Sequence, residues 1–184
     1  MLHFGNICRK LASAFIGILC LSAFCSVAYA TDQLDISTGL KTWLLVNDRP
    51  QGKVTVAVVY DPSNPSSEAD GKIIQQDIGT GVGVPGGLNV VSALVPAGDM
   101  KAISAAKIAF LATGLSAEAL NNISKTAASS GVLTMSADMT CVQANKCVIG
   151  IATKPRVDIY YSAVAAEASH ISFAPAFVML ARKI

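Results

Sequence analysis

Histidine is almost absent from this chain of 184 residues, which contains only His3 and His170. A Ser-His-Asp or Cys-His catalytic arrangement needs a histidine as its base, and a zinc site needs several nitrogen or thiolate ligands. Asp61, Asp138 and Asp158 fall at or near predicted strand ends, where solvated carboxylates are commoner than catalytic pairs. These observations predict a protein that is not an enzyme and holds no metal or cofactor.

The chain also lacks a cluster of charges of one sign. It has 14 Lys and Arg against 12 Asp and Glu. Arg9 and Lys10 are the only charged residues among the first thirty, so twelve basic and twelve acidic residues remain beyond them. Without a basic patch there is no electrostatic footprint for nucleic acid and no long-range steering toward anionic membranes. We therefore expect no nucleic-acid partner.

The start of the chain has the layout of a secretory signal peptide. A basic pair precedes an apolar stretch over 11–27, and small residues flank Tyr29 at its exit. We predict that residues 1–30 are the signal peptide, that cleavage after Ala30 leaves Thr31 first, and that the protein is periplasmic, with no direct membrane insertion after cleavage. An uncleaved transmembrane anchor is the alternative, although the apolar length is marginal for a bilayer.

Cysteine usage agrees with an oxidising compartment. Three of the five cysteines fall in the predicted signal peptide, which leaves Cys141 and Cys147. An even pair in an exported protein predicts a structural disulfide, and closing so short a loop would contribute about 2 kcal/mol. The alternatives are a redox-active pair or a soft-metal site that adds Met135 and Met139, although the spacing differs from that of thioredoxin-like sites.

Apolar periodicity beyond the signal peptide alternates between helix and strand. We predict a single α/β domain over 31–184, a three-layer sandwich whose mostly parallel sheet ends in an antiparallel C-terminal hairpin. The predicted elements are a helix over 35–46, a strand over 53–60, a helix from Pro65 through Ile78, strands over 88–95 and 107–112, a helix capped by Ser116, strands over 132–136, 148–152 and 157–161, a helix over 163–168 and a terminal helix carrying Phe173, Phe177 and Leu180. The connection between the last two strands is too short for a crossover helix, which makes that pair antiparallel.

A glycine-rich segment over 79–87 joins the second helix to the second strand. Residues 81–86 match the letters of the G-x-G-x-x-G dinucleotide pattern. That pattern binds phosphates where it follows a strand and opens a helix, whereas here it follows a helix and precedes a strand. We therefore interpret the segment as a loop.

Several short segments near the C-terminus carry a family resemblance. They are residues 132–136, the Cys141 and Cys147 pair, residues 149–151, 157–160 and 165–166, Phe173, and residues 180–182. Together they resemble the C-terminal half of the YfiR family of exported α/β proteins. The resemblance implies a periplasmic regulator that binds the periplasmic part of an inner-membrane diguanylate cyclase and so acts in cyclic-di-GMP signalling. It also implies the disulfide between the two cysteines, and a homodimer is a further expectation.

A different class of function is small-ligand binding, of an anion or a solute, by a module similar to one lobe of a periplasmic solute-binding protein. In open α/β sheets, ligands bind beyond the carboxyl ends of the strands. Asn64, Ser66 and Ser67 follow the first predicted strand at the start of a helix, where backbone N–H groups and hydroxyls can bind an anion. Ordinary helix capping explains the same residues without a ligand.

Overall fold

The computed structural model describes residues 30–47, 49, 52–81 and 88–184. Most of the predicted signal peptide and residues 82–87 of the glycine-rich segment lie outside the described residues. In chain order the elements are α1 (Gln33–Trp43), β1 (Lys53–Tyr60), α2 (Pro65–Gly79), β2 (Asn89–Pro96), α3 (Met100–Ala105), β3 (Ile108–Leu111), α4 (Ala117–Ser130), β4 (Leu133–Ser136), α5 (Met139–Gln143), β5 (Ile149–Ala152), β6 (Asp158–Tyr161), α6 (Ala163–Ala168), α7 (Pro175–Leu180) and β7 (Arg182–Lys183).

Within the described residues the strands form one seven-stranded sheet in the order β2-β1-β3-β4-β5-β6-β7. The first five strands pair in parallel. β5 and β6 are antiparallel, and β7 returns to the parallel direction beside β6. The mostly parallel sheet with an antiparallel C-terminal hairpin is therefore confirmed. The chain runs outward from β1 to β2 and then crosses back to β3, so the strand order reverses between β1 and β3.

Helices cover both faces of this sheet and make the predicted three layers. On one face, Ile36 and Leu40 of α1 and Ile74 of α2 belong to the same buried apolar cluster. On the other face, Ile103 of α3 and Ile123 of α4 belong to a second cluster. Because the sheet lies between two helical layers, strands β1 and β3 are apolar on both sides.

β1 shows why its sequence has a near-continuous apolar run. Val56 and Val58 point to the α1 and α2 face, whereas Ala57 and Val59 point to the α3 and α4 face. None of these four side chains is more than 2% exposed. Successive residues of a strand point to opposite faces, so a strand buried on both faces needs apolar residues at every position.

Some short elements of the described chain were not predicted. α3 and α5 have six and five residues, too few to show a helical period in the sequence. Each is marked instead by an aspartate cap: Asp99 accepts a hydrogen bond from the Ala102 N–H, and Asp138 accepts one from the Thr140 N–H. β7 has two residues, too few to show a strand period. Phe173, predicted on the terminal helix, lies before α7 in an isolated bridge to Val46.

The first helix begins and ends earlier than the predicted 35–46. Asp32 caps it, because its Oδ1 accepts a hydrogen bond from the Asp35 N–H at 3.0 Å. After Trp43 the chain turns, and Val46 pairs with Phe173 in an isolated bridge. The apolar residues at 44–46 therefore pack as a turn and bridge and not as a further helical turn.

Candidate functional site

A cleft of about 600 Å³ opens at the carboxyl edge of the sheet, beyond the ends of β1 and β2. We name it the carboxyl-edge cleft, and its polar lining includes Asp61, Ser63, Glu118, Asn122, Lys125 and Thr126. Small-molecule sites in proteins have volumes of roughly 300 to 1,000 Å³. The cleft lies beside the reversal of strand order, which is where open α/β sheets bind their ligands.

The turn after β1 supplies one wall of the cleft. The carboxylate of Asp61 accepts hydrogen bonds from the Ser63 backbone N–H at 2.9 Å and from the Ser63 hydroxyl at 2.6 Å. These bonds hold the pKa of the Asp61 carboxyl below its usual value. This wall therefore presents a negative charge at neutral pH.

Helix α4 supplies the opposite wall. Ser116 caps the helix, because its hydroxyl accepts a hydrogen bond from the Ala119 N–H at 3.1 Å. Glu118, Asn122 and Lys125 follow at spacings of four and three residues, so they lie on one face of the helix and all line the cleft. Among the described residues, neither Glu118 nor Lys125 belongs to an ion pair.

The cleft also has an apolar part. Met100 of α3 and Ala97 before it line the cleft together with Ala119. The hydroxyl of Thr126 on α4 lies 3.1 Å from the Met100 sulfur, which joins the two helices at this point. Carboxylates, an ammonium group, an amide and apolar surface therefore converge in one small space. That combination suits a small solute carrying both charged and apolar parts.

The predicted anion-binding residues lie beside this cleft but do not line it. Asn64 caps α2, since its Oδ1 accepts a hydrogen bond from the Ser66 N–H at 3.1 Å, and its Nδ2 donates to the Gly114 carbonyl at 2.9 Å. Ser67 is fully buried, and its hydroxyl accepts a hydrogen bond from the Asp61 N–H. Asn64 and Ser67 thus fix the loops after β1 and β3, while Ser66 is exposed. An anion site at this helix start stays a prediction.

Sequence reasoning missed the α4 wall. Glu118, Asn122 and Lys125 have the spacing of one helical face, but polar residues at that spacing are also typical of any solvated helix. What distinguishes them is their position in the tertiary structure, because the turn after β1 lies across the cleft from them. The same limitation applies to Met100, which lies on a helix that was not predicted.

The described chain contains the predicted disulfide between Cys141 of α5 and Cys147, with their Cα atoms 5.4 Å apart. Both cysteines are at most 1% exposed and belong to the apolar cluster on the α3 and α4 face.

Among the described residues, no group of three or more His, Cys, Asp and Glu side chains is placed to hold a metal ion. His170 is exposed and follows α6 with a φ of 54°.

The C-terminal part of the chain exposes several apolar side chains. Val164 on α6 is 62% exposed, and Val178, Met179 and Leu180 on α7 are 47%, 86% and 77% exposed. We refer to these four residues as the C-terminal apolar group.

In the described part of the chain, none of the helices is both long and apolar enough to cross a bilayer.

Comparison with known proteins supports the fold. No protein-family model and no curated protein matches the chain. The ABC domain in complex with L-Trp from Streptococcus pneumonia has a TM-score of 0.58 at 10% identity, covering 82% of this chain and 60% of that one. A conserved domain protein from Vibrio cholerae O1 biovar eltor has a TM-score of 0.52 at 14% identity, covering 80% of this chain and 59% of that one. The chain spans about three fifths of the length of each structure and is similar to both in its α/β fold.

Proposed function

We propose that this protein is an exported module that binds a small ligand in the carboxyl-edge cleft. The observation that carries the proposal is the place of the cleft: it lies at the carboxyl edge, beside the reversal of strand order, and combines charges of both signs with apolar surface. The likeness in fold to a domain that was solved with L-Trp supports the same class of function.

The lining favours an amino acid or a similar zwitterion as the ligand. Asp61 and Glu118 can accept hydrogen bonds from a ligand ammonium group, while Lys125 and the Asn122 amide can donate to a ligand carboxylate. Met100 offers apolar surface to the ligand side chain. The cleft opens to solvent between exposed residues, so we expect weaker affinity than in a site that encloses its ligand on all sides.

Isothermal titration calorimetry with amino-acid pools, followed by single amino acids including L-tryptophan, tests this proposal. Phosphate and phosphonates, titrated separately, test the anion site predicted at Asn64, Ser66 and Ser67. We expect saturable binding of a zwitterion, with Lys125→Met raising the Kd by about tenfold, which corresponds to a loss of about 1.4 kcal/mol.

The matched control is Lys41→Met, because Lys41 is an exposed lysine of α1 on the other side of the sheet. It should leave the Kd unchanged. An absence of saturable heat with every pool, or equal effects of the two lysine substitutions, would contradict the proposal.

A second candidate function is regulation through protein contacts, as the resemblance to the YfiR family implies. The observation in its favour is the C-terminal apolar group, of which Val178, Met179 and Leu180 are three consecutive exposed residues of α7. Exposed apolar surface is typical of interaction sites. The partner on this interpretation is the periplasmic part of a membrane diguanylate cyclase, and a second copy of this chain is the other assembly to consider.

Sedimentation of the purified protein, alone and with such a periplasmic domain, tests this second candidate. We expect a complex with the cyclase domain that the double substitution Met179→Ser and Leu180→Ser weakens. If the double variant forms the complex equally well, the C-terminal apolar group is not the contact surface. An absence of any complex would contradict the regulatory function.

A further inference from the structure

Asp70 is a buried carboxylate on α2 that the carboxyl-edge cleft does not use. Its side chain is 2% exposed. Oδ1 accepts a hydrogen bond from the Thr31 backbone nitrogen at 2.7 Å, and Oδ2 accepts one from the Thr31 hydroxyl at 3.0 Å. Oδ2 also accepts hydrogen bonds from the Thr113 backbone nitrogen at 2.8 Å and from the Thr113 hydroxyl at 3.1 Å. Asp70 therefore joins the segment before α1 to the loop after β3.

These partners are unusual because each is neutral in the uncleaved chain. Within the described residues, Asp70 belongs to no ion pair with Lys, Arg or His. Burying a carboxylate costs least when it is both hydrogen-bonded and paired with a positive charge. Thr31, which supplies the donors from the N-terminal side, is itself only 2% exposed.

The bond that precedes the Thr31 nitrogen is also the predicted cleavage site of the signal peptide. Hydrolysis there adds water across the Ala30–Thr31 amide: the carbonyl carbon becomes the carboxylate of the released peptide, and the nitrogen becomes an ammonium group. An α-amino group has an ordinary pKa of about 7.7 to 8.0, so this nitrogen carries a charge near neutral pH.

We propose that processing after Ala30 creates an α-ammonium group on Thr31 that forms a buried ion pair with Asp70, so that the processed chain is more stable than any form with a residue before Thr31. No rearrangement is needed, because the nitrogen lies 2.7 Å from the carboxylate oxygen. In the uncleaved chain a neutral amide donates to the carboxylate, whereas after cleavage both donor and acceptor are charged, which strengthens the interaction. It also holds Asp70 against the loop after β3, which leads to the Ser116 cap at the cleft.

The test compares two full-length precursors exported by a Gram-negative host. One has the natural sequence, and the other has Gly-Ser inserted between Ala30 and Thr31, which leaves an amide at the Thr31 nitrogen after cleavage. Intact mass of the periplasmic proteins establishes each N-terminus, and thermal unfolding compares their stability. We expect the natural sequence to begin at Thr31 and to melt about 5 °C higher.

Substitutions on α2 test whether Asp70 is the partner of the Thr31 ammonium group. With Asp70→Asn in both precursors, the difference in melting temperature should shrink to about 1 °C or less. Asp77→Asn, which removes a carboxylate from the same helix, should leave the difference intact. A natural sequence that starts at another residue, equal melting temperatures, or a difference that survives Asp70→Asn would each overturn the proposal.

A second measurement needs no variant at Asp70, and so remains available if that variant does not fold. The Thr31 amine should react with an acylating reagent at least about tenfold more slowly in the folded protein than in urea, because the buried ion pair must open first. Equal acylation rates would overturn the proposal. Neither test depends on whether the carboxyl-edge cleft binds a ligand.

Discussion

Two neighbouring aspartates at the start of α1 have pKa values that their surroundings shift in opposite directions. Asp32 and Asp35 form a reciprocal capping box, in which each carboxylate accepts a hydrogen bond from the backbone N–H of the other. Burial raises the pKa of Asp35 despite a hydrogen bond from Thr153, and the negative charge of Asp32 adds to this effect. Burial acts in the same direction on Asp32, but hydrogen bonds from Lys154 and the Asp35 backbone outweigh it and lower the pKa of Asp32.

The raised pKa of Asp35 predicts a pH-dependent mutational effect. A group whose pKa is higher in the folded state contributes stability that is complete below its unfolded value, about 3.9, and is lost as pH rises through the folded value. Asp35→Asn should therefore lower the free energy of unfolding more at pH 3 than at pH 7, as measured by urea denaturation. Asp77→Asn is the matched control for removing one carboxylate, and a larger loss at pH 7 for Asp35→Asn would contradict the prediction.

At the scale of elements, α5 shows what a covalent link does for a very short helix. The helix has five residues, and its Cys141 is bonded to Cys147 just before β5. Gly150 of β5 lies directly against the Val142 side chain, so a side chain at position 150 would collide with the helix. An isolated helix of this length is unstable in water. Packing against β5 and the disulfide must therefore hold it.

Removing the disulfide should weaken this region and the whole fold. We expect the double substitution Cys141→Ala and Cys147→Ala to lower the free energy of unfolding by about 2 kcal/mol, because the unfolded chain is no longer constrained. Urea denaturation with and without a reductant measures the effect. The reductant should destabilise the natural protein by a similar amount and leave the double variant unchanged. Destabilisation of both proteins by the reductant would contradict this assignment.

At the scale of the whole molecule, the two apolar clusters share one sheet. Strands β1 and β3 each contribute buried residues to both clusters, so disrupting the packing on one face of the sheet weakens the packing on the other. This arrangement favours a single cooperative unit, as the prediction of one domain over 31–184 requires.

Equilibrium unfolding can test that cooperativity directly. Trp43 is the only tryptophan of the chain and is buried on the α1 and α2 face. Its fluorescence and the far-UV circular dichroism of the whole chain should therefore change at the same urea concentration. Two separated transitions would show that the faces unfold independently and would contradict the single-domain prediction.

The sequence by itself determined the longer helices and strands and the mostly parallel class of the sheet, but not the short elements α3, α5 and β7. Local signals were sufficient wherever a residue's environment depends on its neighbours in the chain: the valine-rich β1 is buried on both faces, Asn64 and Pro65 begin α2, and the short connection around Pro155 makes β5 and β6 antiparallel. The disulfide between Cys141 and Cys147 was predicted differently, from the even pair of cysteines that remains beyond the predicted signal peptide. Periodicity and turn residues carry this information because they act over a few residues.

Only the tertiary structure decided which of these elements meet. The strand order places β3 beside β1, and this brings the loop after β3 to Asp70, a residue 43 positions earlier in the chain. The turn at Asp61 and the α4 residue Lys125 likewise form one cleft although they are distant in sequence. Such contacts depend on the path of the crossovers and on the simultaneous burial of both faces, which no local pattern records. The site is therefore a property of the fold, whereas the elements that build it are properties of the sequence.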